Sequence, residues 1–196
     1  TTPGSTVWLS ESDSPTRKYR HTWEMIENDL GTGPHLVGIN TGKPNALVAE
    51  AIGMNVIPEL SGYASLRREV KYGENSRIDL LLSEGKDPRP CYVEIKNVHL
   101  MRQAGLAEFP DCKTERGAKH LRELSSMVAQ GNRAVMVFLV QRGDAETFRL
   151  ANDLDPAYAT AFQAAAAAGV EMLCYACKLS PSEIIVDRRI EIADLA

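Results

Sequence analysis

The sequence predicts an α/β fold in which a mixed sheet is flanked by helices. Three observations point there. The order of elements runs helix, three strands, helix, strand, helix, strand. Arg133–Val140 (R-A-V-M-V-F-L-V) and Glu171–Leu179 are nearly continuous apolar runs, as expected of strands buried on both faces. The helical segments carry Pro at their first turn (Pro44, Pro156) or Gly after their last (Gly131, Gly169). With 196 residues the chain can form one substantial core, or one domain and a smaller partner.

Taken in order, Val7–Ser10 reads as a short strand after a Pro-Gly turn. Thr22–Asp29 fits either a strand or a helical turn. Leu36–Asn40 is a short apolar strand, followed by a helix from Pro44 to Ile52 with Leu47, Val48, Ala51 and Ile52 on its apolar side. Met54–Ser65 contains Pro58 and Gly62 and is expected to be irregular. Ser65–Tyr72, Arg77–Leu82 and Cys91–Val98 form a three-strand set joined by turns rich in Gly, Asn and Pro. Met101–Pro110 is expected to be a mobile loop. Asp111 or Thr114 caps a helix reaching Gln130, with Leu121, Leu124 and Val128 inward. Gly143–Asp153 reads as a loop and Asp155–Ala168 as a helix. Ile184–Val186 adds an edge strand.

Composition narrows the function classes. A net charge of −4 argues against a polybasic nucleic-acid binder but allows a local basic patch. No apolar run reaches the roughly 18 residues of a membrane span, and no secretory signal pattern is present. Of the four cysteines, Cys174 and Cys177 form a C-x-x-C, but in a strand such a spacing points the two thiols to opposite faces. All four are expected to be free thiols of a reducing, cytoplasmic compartment.

The chemistry concentrates between Arg77 and Lys96. Two apolar strands there each carry a carboxylate, Asp79 and Glu94, and Lys96 shares Glu94's face at i+2. Pairing of the strands would bring Asp79 close to Glu94. Two carboxylates and a lysine suit a Mg²⁺ or Mn²⁺ site for phosphodiester hydrolysis, with the Ile95 carbonyl as a further ligand and Lys96 orienting water or offsetting charge. Glu50, on the first helix, is a weak additional metal ligand. The opposing reading is an ion pair of Lys96 with a carboxylate on a solvent-exposed sheet face, which the spacing alone leaves open. Basic clusters supply candidate phosphate contacts. Arg17, Lys18, Arg20 and His21 interleave with Tyr19 and Trp23, which could also be a solvated loop with Trp23 anchoring the core. Arg116, Lys119 and His120 form a helical stripe that either faces phosphate or is simply solvated.

These stretches resemble the sugar fermentation stimulation protein A (SfsA) family. The resemblance lies in S-P-T-R-K-Y-R-H-T-W-E (14–24), I-N-T-G-K-P-N (39–45), E-V-K-Y-G-E-N-S-R-I-D-L-L-L (69–82), Y-V-E-I-K-N-V (92–98), F-P-D-C-K-T-E-R-G-A-K-H-L-R-E-L (109–124) and G-V-E-M-L-C-Y (169–175). It implies a PD-(D/E)XK nuclease-like domain, residues 37–196, after a partial OB-like β-barrel, residues 1–36. It places the nuclease motif on Asp79, Glu94 and Lys96, with Ile78 where the motif's name has Pro. The opening T-T-P-G-S-T-V-W-L reads like the interior of a β-domain, so the N-terminal segment is expected to be missing. The implied partners are nucleic acid, DNA foremost, and no membrane, with a homodimer among the expected assemblies. Three functions stay open: a Mg²⁺- or Mn²⁺-dependent nuclease, a DNA-binding regulator of sugar (maltose) metabolism genes with an idle nuclease fold, and a protein with no nucleic-acid role, which the pI near 5.6 favours.

Overall fold

The computed structural model describes residues 3–195. Strands β1 (Val7–Glu11), β2 (His21–Asp29) and β3 (Pro34–Gly38) form a small antiparallel sheet. Thr22–Asp29 is therefore strand. Trp23 is 42% exposed and its indole N–H donates to the Met25 carbonyl at 2.9 Å, so it does not anchor the core. This sheet is tied to the rest of the chain by a bond from the Gly38 N–H to the Gln141 carbonyl (2.8 Å) and an isolated bridge between Val37 and Arg142.

Helix α1 (Pro44–Gly53) and a 3-10 turn at Pro58–Leu60 lead into β4 (Tyr63–Tyr72), β5 (Ser76–Gly85) and β6 (Cys91–Val98). Helix α2 (Glu115–Ala129) crosses from β6 to β9 (Arg133–Val140), and α3 (Pro156–Ala167) from β9 to β11 (Glu171–Ser180). Both crossovers join parallel pairs, β6–β9 and β9–β11, as helical crossovers do. With the antiparallel edge strand β12 (Glu183–Arg189) the sheet runs β12-β11-β9-β6-β5-β4. Helix α1 packs on one face and α2 with α3 on the other. β9 explains the continuous apolar run: Val135, Val137 and Leu139 enter the α1 side, while Ala134, Met136, Phe138 and Val140 enter the other. The C-x-x-C divides in the same way, with Cys174 in one cluster and Cys177 in the other, and all four cysteines are free.

Two expected loops are strands. Within 101–110 lies a hairpin of β7 (Leu100–Gln103) and β8 (Leu106–Phe109), and within 143–153 lies β10 (Thr147–Leu150). With β13 (Glu191–Ile192) they form a second sheet, β13-β10-β8-β7. The polar letter in L-A-E-F hides the pattern. The Glu108 side chain is fully buried because the guanidinium groups of Arg102 and Arg149 approach it at 2.7 and 2.9 Å.

The start of α2 is held from two sides. Thr114 caps it, its Oγ1 accepting from the Gly117 N–H at 3.0 Å. The carboxylate of Asp155, the cap of α3, accepts from the Thr114 N–H at 2.8 Å and from the Tyr158 N–H at 3.0 Å. One buried side chain thus fixes two helix starts. Urea denaturation of T114A should show a loss of about 1 kcal/mol, and of D155A about twice that. Equal losses would mean that Asp155 caps α3 alone.

Candidate functional site

The site forms where β5 and β6 part. Their ladder pairs Leu82 with Cys91, Leu81 with Tyr92 and Leu80 with Val93. One step further, the Ile95 N–H donates to the side chain of Asp79 instead, at 2.7 Å to Oδ2. The other Asp79 oxygen accepts from the Asn45 amide in the first turn of α1, at 2.8 Å. The same Asn45 amide lies 3.4 Å from Oε1 of Glu69, which faces Asp79 across the β4–β5 register with φ of 53°. A left-handed backbone is unusual for a residue with a Cβ.

Alternation along β6 sends Val93 and Ile95 into the α1-side core and Glu94 toward α2. Glu94 is only 3% exposed. Its Oε1 accepts from Lys96 Nζ at 2.7 Å and from His120 Nδ1, while its Oε2 is buried with no partner. Arg116 Nε donates to His120 Nε2 at 3.4 Å. With Nε2 accepting, the imidazole proton sits on Nδ1 and points at Glu94. Lys96 Nζ stands 3.3 Å from the same Nδ1. The Glu94–Lys96 pair is therefore not an exposed surface salt bridge, since its side chains are only 4% and 14% exposed.

The two carboxylates differ electrostatically. Burial pushes Asp79 up to about 6, the charge of Glu94 adds to this, and the bonds from Ile95 and Asn45 with the charge of Lys96 pull it back only partly. Burial also pushes Glu94 up, but the hydrogen bond from His120 and the bond and charge of the Lys96 ammonium outweigh it, so Glu94 lies below the usual range. Perturbed pairs of acids of this kind cluster at functional sites and also occur in structural ion-pair networks.

The structure thus brings Asp79, Glu94 and Lys96 to one spot, together with Asn45 and His120. His120 is not part of a phosphate-facing stripe, because it is 6% exposed and lies against Glu94. Lys119 turns to the β4–β5 connection, donating to the Glu74 carbonyl at 3.0 Å, and Arg116 is exposed. Helical spacing shows which residues share a face, but not which face covers the sheet. Glu50 is exposed and makes none of the cluster's hydrogen bonds; Asn45 is the α1 residue that reaches Asp79. The other basic cluster lies between β1 and β2 and is exposed. Arg17 donates to Thr22 at 2.9 Å, Lys18 lies 5.2 Å from the Tyr19 ring, Arg20 pairs with Glu11 at 2.7 Å, and His21 opens β2.

Family models described as "Sugar fermentation stimulation protein RE domain" and "SfsA N-terminal OB domain" match residues 42–183 and 1–39. The chain belongs to the SfsA family. The SfsA homologue of Agrobacterium fabrum is 60% identical over 95% of this chain and 76% of its own length. That of Rhodospirillum centenum is 58% identical over 97% and 80%. A solved structure, "The structure of Pyrococcus Furiosus SfsA in complex with Ca2+", superposes with a TM-score of 0.86 at 27% identity, covering 97% of this chain and 79% of that one. The SfsA N-terminal OB domain model matches residues 1–39, so the first strands belong to that domain, and the chain spans 76% and 80% of the length of these two relatives. Among the described residues no helix is long and apolar enough to cross a membrane.

The raised pKa of Asp79 makes the stability of the fold depend on pH. Folded Asp79 holds its proton more tightly than an unfolded aspartate, whose pKa is about 3.9. Its contribution to metal-free stability is fully present below about pH 4 and is lost as pH rises through about 6. In EDTA, the stability of D79N relative to wild type should therefore increase between about pH 4 and about pH 7. A pH-independent difference would show that the site does not hold Asp79 protonated.

Proposed function

We propose that this chain is a divalent-cation-dependent phosphodiesterase acting on nucleic acid, DNA foremost, with Mg²⁺ or Mn²⁺ held by Asp79 and Glu94. The observation that carries this reading is the buried, unpartnered Oε2 of Glu94 beside a second carboxylate. A buried carboxylate oxygen without a donor is one that a bound cation would satisfy. Among the described residues no three His, Cys, Asp or Glu side chains group closely enough to ligate an ion by themselves. Mg²⁺ keeps several waters and takes one or two carboxylates, so Asp79 and Glu94 would be the protein's ligands to it. The Ca²⁺ named with the Pyrococcus furiosus protein is likewise a hard, oxygen-seeking ion.

A bound cation supplies a water of lowered pKa and neutralises charge on the scissile phosphate. The chain's own groups prepare for it. Asp79 would hold the ion as the carboxylate, and the Asn45 amide and Ile95 N–H fix its plane. His120 and Lys96 engage Oε1 of Glu94, which leaves Oε2 for the ion. Lys96, 14% exposed, is placed to offset charge developing on the phosphate. Exposed Arg17, Lys18 and Arg20, with Tyr19 at 69% and Trp23 at 42% exposure, offer phosphate contacts and stacking faces for a single strand. In this reading residues 1–36 form the binding module and 37–196 the hydrolytic one.

A second reading is a DNA-binding regulator of sugar metabolism genes with an idle nuclease site. It draws on the same exposed basic and aromatic cluster, whose hydrogen bonds and ion pairs are separate from those of Asp79 and Glu94. A cleavage panel of single- and double-stranded DNA and RNA with Mg²⁺ or Mn²⁺ separates the two. Metal-dependent cleavage should appear and should fall at least about 100-fold in D79N and in E94Q. Cleavage that persists in D79N removes the site, and metal-independent binding with no cleavage favours the regulator. Changing Arg17, Lys18 and Arg20 to Glu should weaken binding and flatten its salt dependence, with or without metal.

A further inference from the structure

The hairpin that joins β4 to β5 carries a charge arrangement that folding alone does not favour. Lys71 and Arg77 are direct partners in the antiparallel register, so their side chains leave the same face of the sheet side by side. Like charges placed opposite one another across two strands are destabilising. Both side chains are exposed, and among the described residues neither forms an ion pair. The nearby acids are held elsewhere. Glu94 pairs with Lys96, and Glu123 lies 3.6 Å from Lys119 and packs on Gly73 from α2. Arg77 donates instead to a backbone oxygen, the Glu69 carbonyl, at 3.3 Å.

The two cations line an open groove of about 360 Å³ together with Gly73, Asn75 and Ser76 of the turn. Its place relative to the carboxylate site follows from the ladder. Val70 and Ile78, the next pair along, pack into the core on the α2 side. By alternation Lys71 and Arg77 take the opposite face, the one from which α1 sends Asn45 to Asp79. Arg77 precedes Asp79 by two residues of β5, about 6–7 Å of strand. A chain of contacts joins the two places: Arg77 to the Glu69 carbonyl, the Glu69 carboxylate 3.4 Å from the Asn45 amide, and that amide to Asp79 at 2.8 Å. A lysine and an arginine side by side suit phosphate oxygens, one as a point charge and the other as a planar fork. The aromatic residue of the groove, Tyr72, is 8% exposed and offers no open face for a base. The groove therefore recognises charge.

We propose that Lys71 and Arg77 hold a phosphate of the substrate strand close to the one being cut, so that the site acts on a polynucleotide and not on an isolated phosphodiester. This rests on the reading of Asp79 and Glu94 as a phosphodiester site, and names its substrate class and a positioning subsite for it. Phosphates of a duplex strand follow one another at about 3.4 Å along the axis, so the span from Arg77 to Asp79 corresponds to one or two nucleotides. A phosphate between the two cations relieves their repulsion. It also supplies binding energy away from the reacting centre, which a truncated substrate cannot use.

The test is fluorescence-anisotropy binding of a single-stranded oligothymidylate to the full chain in EDTA, over a range of salt concentrations. Wild type is compared with K71A/R77A and with K86A/K178A, which removes the same charge from two other exposed lysines. K71A/R77A should bind about 10-fold more weakly, and its slope of log K against log salt should be shallower by about 1.4, for two phosphate contacts on a single strand. K86A/K178A should stay within about 2-fold of wild type. With Mg²⁺, wild type should cut TpTpT at least about 10-fold better than TpT in kcat/KM, and K71A/R77A should lose that preference. Strand binding unchanged in K71A/R77A, or weakened equally in K86A/K178A, overturns the proposal. If calorimetry then shows inorganic phosphate bound by wild type and lost in K71A/R77A, the groove serves a free phosphate instead. K71A alone should melt no lower than wild type, because it removes one of two opposed like charges. Should K71A/R77A fail to fold, an unchanged salt slope in K71A overturns the proposal in its place. Cleavage that is the same in wild type and K71A/R77A on every length removes the groove and leaves the Asp79–Glu94 reading intact. No cleavage by wild type, with binding that still depends on Lys71 and Arg77, removes the hydrolytic reading and keeps the phosphate contact.

Discussion

The site depends on one hydrogen bond, from the Ile95 N–H to the carboxylate of Asp79. Up to Leu80 and Val93 the two strands form an ordinary antiparallel ladder. A ladder that simply continued would leave no room between them for an ion or a phosphate. Because a side chain takes the Ile95 donor, β5 can leave β6 without stranding a buried amide, which would otherwise be costly. β6 itself cannot yield, since it stays paired with β9 from Cys91 to Val98. Where the two strands part, β6 is therefore the rigid side, and Glu94 and Lys96 stand on it.

Around that opening the fold supplies each remaining group from a different layer. Helix α1 sends Asn45 to Asp79 from one face of the sheet, and α2 sends His120 to Glu94 from the other. The angle of α2 is in turn fixed by Thr114 and Asp155, so a cap far along the chain contributes to the position of an imidazole in the site. Burial raises the energy of both carboxylates, and the difference between them lies in their partners. Glu94 has a lysine and a histidine, while Asp79 has neutral donors and a negative neighbour.

Much of this was legible in the sequence. Asp79, Glu94 and Lys96 stood out because charged letters interrupt apolar strands, and β9 and β11 because nothing interrupts theirs. The start of α2 was legible as Asp111 or Thr114, of which Thr114 is the cap, and the start of α3 from Pro156; the capping role of Asp155 was not read. What could not be read came from long-range pairing. Asn45 meets Asp79 across 34 residues, and His120 meets Glu94 across 26, distances over which no local period carries information. His120 was visible as a residue but not as a buried one. β8 was concealed by Glu108, whose burial becomes tolerable only through two arginines that lie apart from it in sequence. Of the two readings open for the stretch around Trp23, the one that made it a core anchor fails, because the sheet it belongs to leaves its face open.

Membership of the SfsA family is a matter of sequence and fold; use of the site is a matter of whether an ion sits in it. The most direct measurement is anomalous diffraction from crystals of this chain equilibrated with Mn²⁺. A peak bonded at about 2.0–2.4 Å to oxygens of both Asp79 and Glu94 is the expected result. Crystals with no peak between these two carboxylates at saturating Mn²⁺, or with Asp79 still bound only to Asn45 and Ile95, would contradict it.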